Sequence, residues 1–123
     1  MPLTPDPSGT APLSIPDLMT NWRGLPFEPF RDGVRIHHIR KGAPAVAVLH
    51  YDAGATVPRH LHTGLESFLV LDGVQCAEHG KYPAGTLMVN PEGSIHSVWS
   101  DTGCAVLIQW ERPVKILDEE DTK

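Results

Sequence analysis

Four residues with ligand chemistry stand close together in this chain. The stretch Gly54-Ala-Thr-Val-Pro-Arg-His60-Leu-His62-Thr-Gly-Leu-Glu66 carries two histidines, two positions apart, and then a glutamate. On an extended strand alternate side chains point the same way, so His60 and His62 can offer both imidazoles to one ion. A short bend at Thr63-Gly64 would return Glu66 beside them. Two imidazoles and a carboxylate make the facial set used for non-haem iron, with positions left open. A third imidazole follows the turn Pro91-Glu-Gly93, where His96 begins another strand-forming run. If that strand neighbours the first, the set becomes three nitrogens and one oxygen. Such a set would suit one divalent transition metal. An octahedral Fe(II), Mn(II) or Ni(II) ion would keep about two positions open. Zn(II), filled by these ligands, would be closed and structural. Binding requires neutral imidazoles and an ionised Glu66, so acid should release the metal.

Other side chains fall around this set by parity. Phe68 and Val70 share the parity of Glu66 and are expected to line the interior behind the ion. Trp110, with Tyr51 or His50, is expected to do so from other strands. Tyr51, Ser100 and Gln109 offer polar groups for contacts to the ligating histidines or to a bound small molecule. His37, His38, His50 and His79 lie outside the spacing and read as surface or core histidines. Arg59 has the opposite parity to His60 and should point outward. Cys76 and Cys104 lack a CxxC spacing and read as small buried hydrophobes. No side chain stands out as a general acid or base beside the ligands.

Strands must position these residues. From Gly24 onward glycines recur at short intervals, with β-rich runs between them, the pattern of an all-β sandwich or barrel. The runs are Val34–Arg40, Ala45–Tyr51, Ser67–Leu71, Thr86–Val89, His96–Ser100 and Cys104–Glu111. In the last, Cys104, Val106, Ile108 and Trp110 would share one face, and Ala105, Leu107, Gln109 and Glu111 the other. Asp72-Gly73 has the chemistry of a hairpin turn. No stretch sustains a helical period. Five prolines in the first sixteen residues argue for a flexible arm over 1–26, with at most one helical turn at residues 17–22. A barrel would occupy 27–113, and 114–123 would be an acidic, solvated tail.

The composition narrows the partners. The chain has 123 residues, the length of one domain, and a formal charge of −5. Its densest basic cluster is the pair Arg40-Lys41, which argues against nucleic acid. Its longest apolar run, Ala43–Leu49, is far short of a membrane span. No secretory signal is visible at the N-terminus, so the cytoplasm is the expected location.

The two blocks have a wider spacing. The first reads G-x(5)-H-x-H-x(3)-E-x(6)-G from Gly54 to Gly73, and the second G-x(5)-P-x-G-x(2)-H from Gly85 to His96. This resembles the paired signature of the cupin superfamily at every specified position. The second signature usually ends in Asn, where this chain has Ser100. The sequence is further similar to the ChrR-type cupins. Trp22, Pro26 and Phe30 precede the first strand, and then come His62-Thr-Gly-Leu-Glu66, Phe68-Leu-Val-Leu-Asp-Gly73, Tyr82-Pro-Ala-Gly85, Pro91-Glu-Gly-Ser-Ile-His96 and Gly103-Cys104-Ala-Val-Leu. The resemblance implies an RmlC-like double-stranded β-helix, a small jelly-roll barrel, with metal on His60, His62, Glu66 and His96. It also implies pairing through edge strands into a homodimer.

For function it implies two alternatives. One is a non-haem metal dioxygenase, or a related metal-dependent lyase or isomerase, on a small oxygenated organic substrate. The other is a non-catalytic metal-binding stress or ligand sensor. ChrR-type anti-sigma factors hold their sigma factor with a separate N-terminal helical zinc domain. The 26 residues before the first expected strand contain neither Cys nor His, so the sigma-binding role is not expected to carry over.

Overall fold

The computed structural model describes residues 10–117. Its strands are β1 (Glu28–Arg31), β2 (Val34–Arg40), β3 (Ala45–Tyr51), β4 (Ala55–Leu61), β5 (Glu66–Ala77), β6 (Gly80–Pro83), β7 (Leu87–Asn90), β8 (Ile95–Ser100), β9 (Cys104–Trp110) and β10 (Lys115–Ile116). One short helix, α1 (Leu18–Asn21), and a 3-10 turn at Trp22–Gly24 precede them. All strand pairs are antiparallel. A first sheet runs β1-β2-β3-β9-β5-β7, and a second runs β10-β4-β8-β5-β6. The curled all-β sheet is a cupin-type jelly-roll barrel. No described helix is long and apolar enough to cross a membrane.

β5 belongs to both sheets. Its first half pairs with β7 and β9, its last residues with β6 and β8. The passage is made at a register shift between Val70 and Asp72. This corrects the expected hairpin at Asp72-Gly73, which lies inside a continuous strand. Gly73 has φ 75°, the left-handed conformation that a bulge and a tight turn both demand. A Cβ there would also collide with the backbone carbonyl of Gly103.

Two apolar layers follow from strand parity. Val34, Ile36, Leu49, Phe68, Val106 and Ile108 fill the barrel. On the other face of the first sheet, Val48, Leu71 and Ala105 pack under Trp22, with Leu107 beside them. The two faces of β9 thus separate as the alternation predicts. Trp22 is only 2% exposed, so packing begins before the arm-to-barrel boundary drawn at residue 26. At the other end, Lys115 and Ile116 pair with Leu61 and His60, so the barrel extends past residue 113. The acidic run Asp118–Asp121 and the prolines at 2, 5 and 7 lie outside the described residues.

Candidate metal centre

β4 and β8 place the first two imidazoles opposite each other, with His60 and His96 as register partners. A register shift between Val57 and His60 turns Pro58 and Arg59 to the outside, so that Val57 and His60 both reach the interior. His62 lies just past the end of β4. Its backbone N–H donates to the Ser94 carbonyl at 2.9 Å, and the Gly93 N–H donates to the His62 carbonyl at 2.8 Å. The turn before β8 thereby ties the third imidazole to the other two.

The three rings face one another, with centroids 5.1 Å (His60–His62), 4.6 Å (His60–His96) and 4.7 Å (His62–His96) apart. One nitrogen from each lies within 4.8 Å of the others, close enough to hold one ion. The opposite ring nitrogens of His60 and His62 are already engaged. His60 Nδ1 is 2.8 Å from the Pro58 carbonyl oxygen. His62 Nδ1 is 3.1 Å from the Ser94 carbonyl and 2.9 Å from Ser94 Oγ, and that hydroxyl donates onward to Pro91 O at 2.6 Å. A proton held at Nδ1 leaves Nε2 bare, the form that ligates a metal. His96 Nε2 is buried without a hydrogen-bond partner, and His62 Nε2 has only the Glu66 carboxylate beside it. These converging nitrogens fit a resident ion.

Glu66 opens β5 at the same level. It faces Asn90 on β7 and Trp110 on β9. Its Oε1 accepts from Asn90 Nδ2 at 3.1 Å, and its Oε2 from Trp110 Nε1 at 2.8 Å. The same Oε2 is 3.3 Å from His62 Nε2. Two donors therefore aim a buried carboxylate at the histidine cluster.

The ionisation of the metal-free cluster follows from burial and mutual charge. Burial, then the neighbouring imidazoles, pull His96 down to about 4. Burial also lowers His60. Burial pulls His62 the same way, but the adjacent Glu66 carboxylate outweighs it and the imidazole is raised. Burial alone would lift Glu66, yet His62 and then the other imidazoles hold it below its ordinary value. The arrangement keeps Glu66 ionised and leaves His60 and His96 neutral at neutral pH, as ligands need to be.

A small cavity of about 50 Å³ adjoins His60 and Glu66, with Tyr51, Gln75 and Trp110 among its walls. Of the side chains expected around the site, Tyr51 and Trp110 reach this space, and burial drives the Tyr51 hydroxyl far above its usual pKa. Phe68 lies in the core behind it. Ser100 is fully buried elsewhere and donates its hydroxyl to the Val74 carbonyl at 2.6 Å. Gln109 is exposed on the outer face and takes no part in the site. Both cysteines are buried, and burial pushes the Cys104 thiol up to about 11. Asn90, Ser94 and Gln75 escape sequence reasoning. Gln75 does so because the bulge before Gly73 resets the parity that places Glu66, Phe68 and Val70 inside.

The fold has many solved relatives. A cupin-like-fold protein of unknown function from Ralstonia eutropha shares 20% identity at a TM-score of 0.65, covering 72% of this chain and 60% of its own. Anti-sigma ChrR in complex with SigE, from Rhodobacter sphaeroides, shares 26% identity at a TM-score of 0.63, covering 68% of this chain and 47% of that one. An acetylacetone dioxygenase from Acinetobacter johnsonii shares 14% identity at a TM-score of 0.75, over 96% of this chain and 85% of that one. The chain thus spans less than two-thirds of the first two relatives. A comparison with the curated proteins found no match. The ChrR Cupin-like domain family matches residues 16–113, which take in both histidine strands, Glu66 and the Trp22 cover, and the chain belongs to that family.

Proposed function

We propose that the protein binds one divalent transition metal through His60, His62, Glu66 and His96, and acts on a small oxygenated organic molecule as a non-haem, dioxygenase-like enzyme. The observation that carries this reading is the cavity of about 50 Å³ beside His60 and Glu66. A structural ion needs no such space, whereas a reactive one needs room at its open positions. When bound, the ion would supply Lewis-acid chemistry and, if it is iron, redox chemistry. The chain's own residues do the rest. Asn90 and Trp110 orient Glu66, Ser94 orients His62, and apolar side chains such as Leu49, Val98 and Ile108 exclude bulk water from the cavity.

Metal content measured on protein purified without a metal-affinity tag tests the reading. About one equivalent of iron, manganese or nickel, with oxygen uptake on diketones or phenolic ketones, is the expected result. One equivalent of tightly held zinc without turnover would remove the enzyme. That outcome would favour the second reading, a metal-binding sensor module, which the family membership and the 26% identity to the ChrR chain support.

The same proposal extends to assembly. Leu87 and Val89 are 64% and 53% exposed on β7, which pairs only with β5 among the described strands. A homodimer covering that edge is expected. Light scattering that finds a monomer at micromolar concentration would remove it.

A further inference from the structure

Two groups at the inner cavity are not used by the metal ligands. Gln75 is 2% exposed, and its Oε1 has no hydrogen-bond partner. Gln75 and Tyr51 line the cavity together. A buried acceptor without a donor is unfavourable, and such groups mark places where a ligand or ordered water supplies the missing proton. The second group is Arg31, half-buried at the end of β1. Among the described residues it has neither an ion-pair partner nor a hydrogen-bond partner, while Arg23 and Arg35 are paired with Asp72 and Asp52. Arg31 lines the inner cavity and also an outer cleft of about 550 Å³. Phe30, Trp110 and Val114 are shared between the two spaces, so Arg31 stands at the passage from one to the other. No carboxylate lines the cleft among the described residues, and the cavity's only one, Glu66, is already held by Asn90 and Trp110.

A lone guanidinium at an entrance, with a bare acceptor further in, selects by charge and by hydrogen bonding. The cation favours an anion, and Gln75 Oε1 favours a ligand that brings its own O–H. By volume, about 50 Å³ corresponds to roughly two waters, so the enclosed part of a ligand has only a few heavy atoms. We propose that the cavity binds a small hydroxylated organic acid, its carboxylate paired with Arg31 and its hydroxyl donated to Gln75 Oε1. The placement beside an ion rests on the metal reading above; the contacts to Arg31 and Gln75 do not. A longer acid would extend its chain past Arg31 into the outer cleft, along the stacked rings of Phe30 and Trp110, whose centroids are 6.3 Å apart.

Calorimetric titration of the full chain with glycolate, glycolamide and acetate tests this, on metal-loaded and metal-free samples with the metal content of each measured. Glycolate should bind at least about tenfold more tightly than uncharged glycolamide, and several-fold more tightly than acetate, which lacks the hydroxyl. Arg31→Met should abolish the first preference and Arg31→Lys should retain most of it. Gln75→Leu should abolish the second preference and keep the first. Lys41→Met, on the outer cleft only, should change neither, and circular dichroism checks that each variant is folded. A full complement of metal with no glycolate binding, or with equal binding by folded Arg31→Met, would overturn the inference and leave the metal reading intact. If the protein takes up no metal, the metal reading falls. The glycolate preference of the metal-free protein then decides this inference alone: present it stands, absent it fails.

Discussion

The two sheets of the barrel are covered unequally. The first is buried on both faces, by the inner core and by the layer under Trp22. Its central strands read as nearly unbroken apolar runs, Ala-Val-Ala-Val-Leu in β3 and Cys-Ala-Val-Leu-Ile in β9. The second sheet is covered on one face only. Its strand β8 alternates exposed or half-exposed positions with buried ones, His96 among them, and β4 buries only Ala55 and His60. Apolar burial is concentrated in the first sheet, and the imidazoles are on the second. Glu66, at the start of the shared strand, bridges the two. A polar cluster buried in the middle of the doubly covered sheet would displace core on both sides. On the thinner sheet it displaces core on one side and lies near solvent on the other.

Substitutions should separate the two regions. The largest effect expected is on metal content. His62→Ala or His96→Ala should take it from about one equivalent to near zero by elemental analysis while leaving a folded barrel, because the first sheet does not depend on them. Unchanged stoichiometry in both would dissolve the distinction. Next comes Trp22→Ala. Truncating a buried tryptophan costs about 3–5 kcal/mol, so chemical denaturation should show a large loss of stability, while metal content at low temperature stays at the wild-type value. Trp110→Phe, at the seam, should act on the site more than on the fold. Losing the donor to Glu66 should weaken metal affinity by about 10–100-fold in a chelator competition.

The smallest effect concerns pH in the metal-free protein. His60 and His96 are held below their ordinary value, so in acid the unfolded chain takes up protons that the folded one refuses. Their contribution falls as pH drops from the ordinary histidine value toward the folded one. Glu66 is held low and adds stability that is lost as pH falls through its folded value. His62 is raised and works the other way, its contribution lost as pH rises through its folded value. The net expectation is a melting temperature several degrees lower at about pH 5 than at about pH 7.5. A flat profile would mean that the imidazoles are solvated rather than enclosed by the thin sheet.

What the sequence discloses divides along the same line. The histidine cluster is legible because its geometry is local: two positions of equal parity, a bend at Thr63-Gly64 that returns Glu66, and a turn at Pro91-Glu-Gly93 before His96. The apolar runs of β2, β3 and β9 are legible because a sheet buried on both faces leaves an undiluted pattern. β4 does not read as a strand, since Pro58 and Arg59 at its register shift break its alternation. β10 has only two residues and is defined by its partner. Asp72-Gly73 misleads for a chemical reason, because a bulge and a hairpin turn ask the same left-handed glycine of the chain. Asn90 and Gln75 become visible only through cross-strand register and the parity reset, which are tertiary facts.

The sharing of β5 between the sheets has a consequence for how the molecule comes apart. Its first half is held between β7 and β9 of the first sheet and its last residues between β6 and β8 of the second, so opening either sheet is expected to pull on a strand that the other also needs. In deuterium exchange, the protected amides of Phe68 and Val70 should then exchange at the rate of whole-molecule unfolding rather than by local breathing, and β10 at the rim should exchange first.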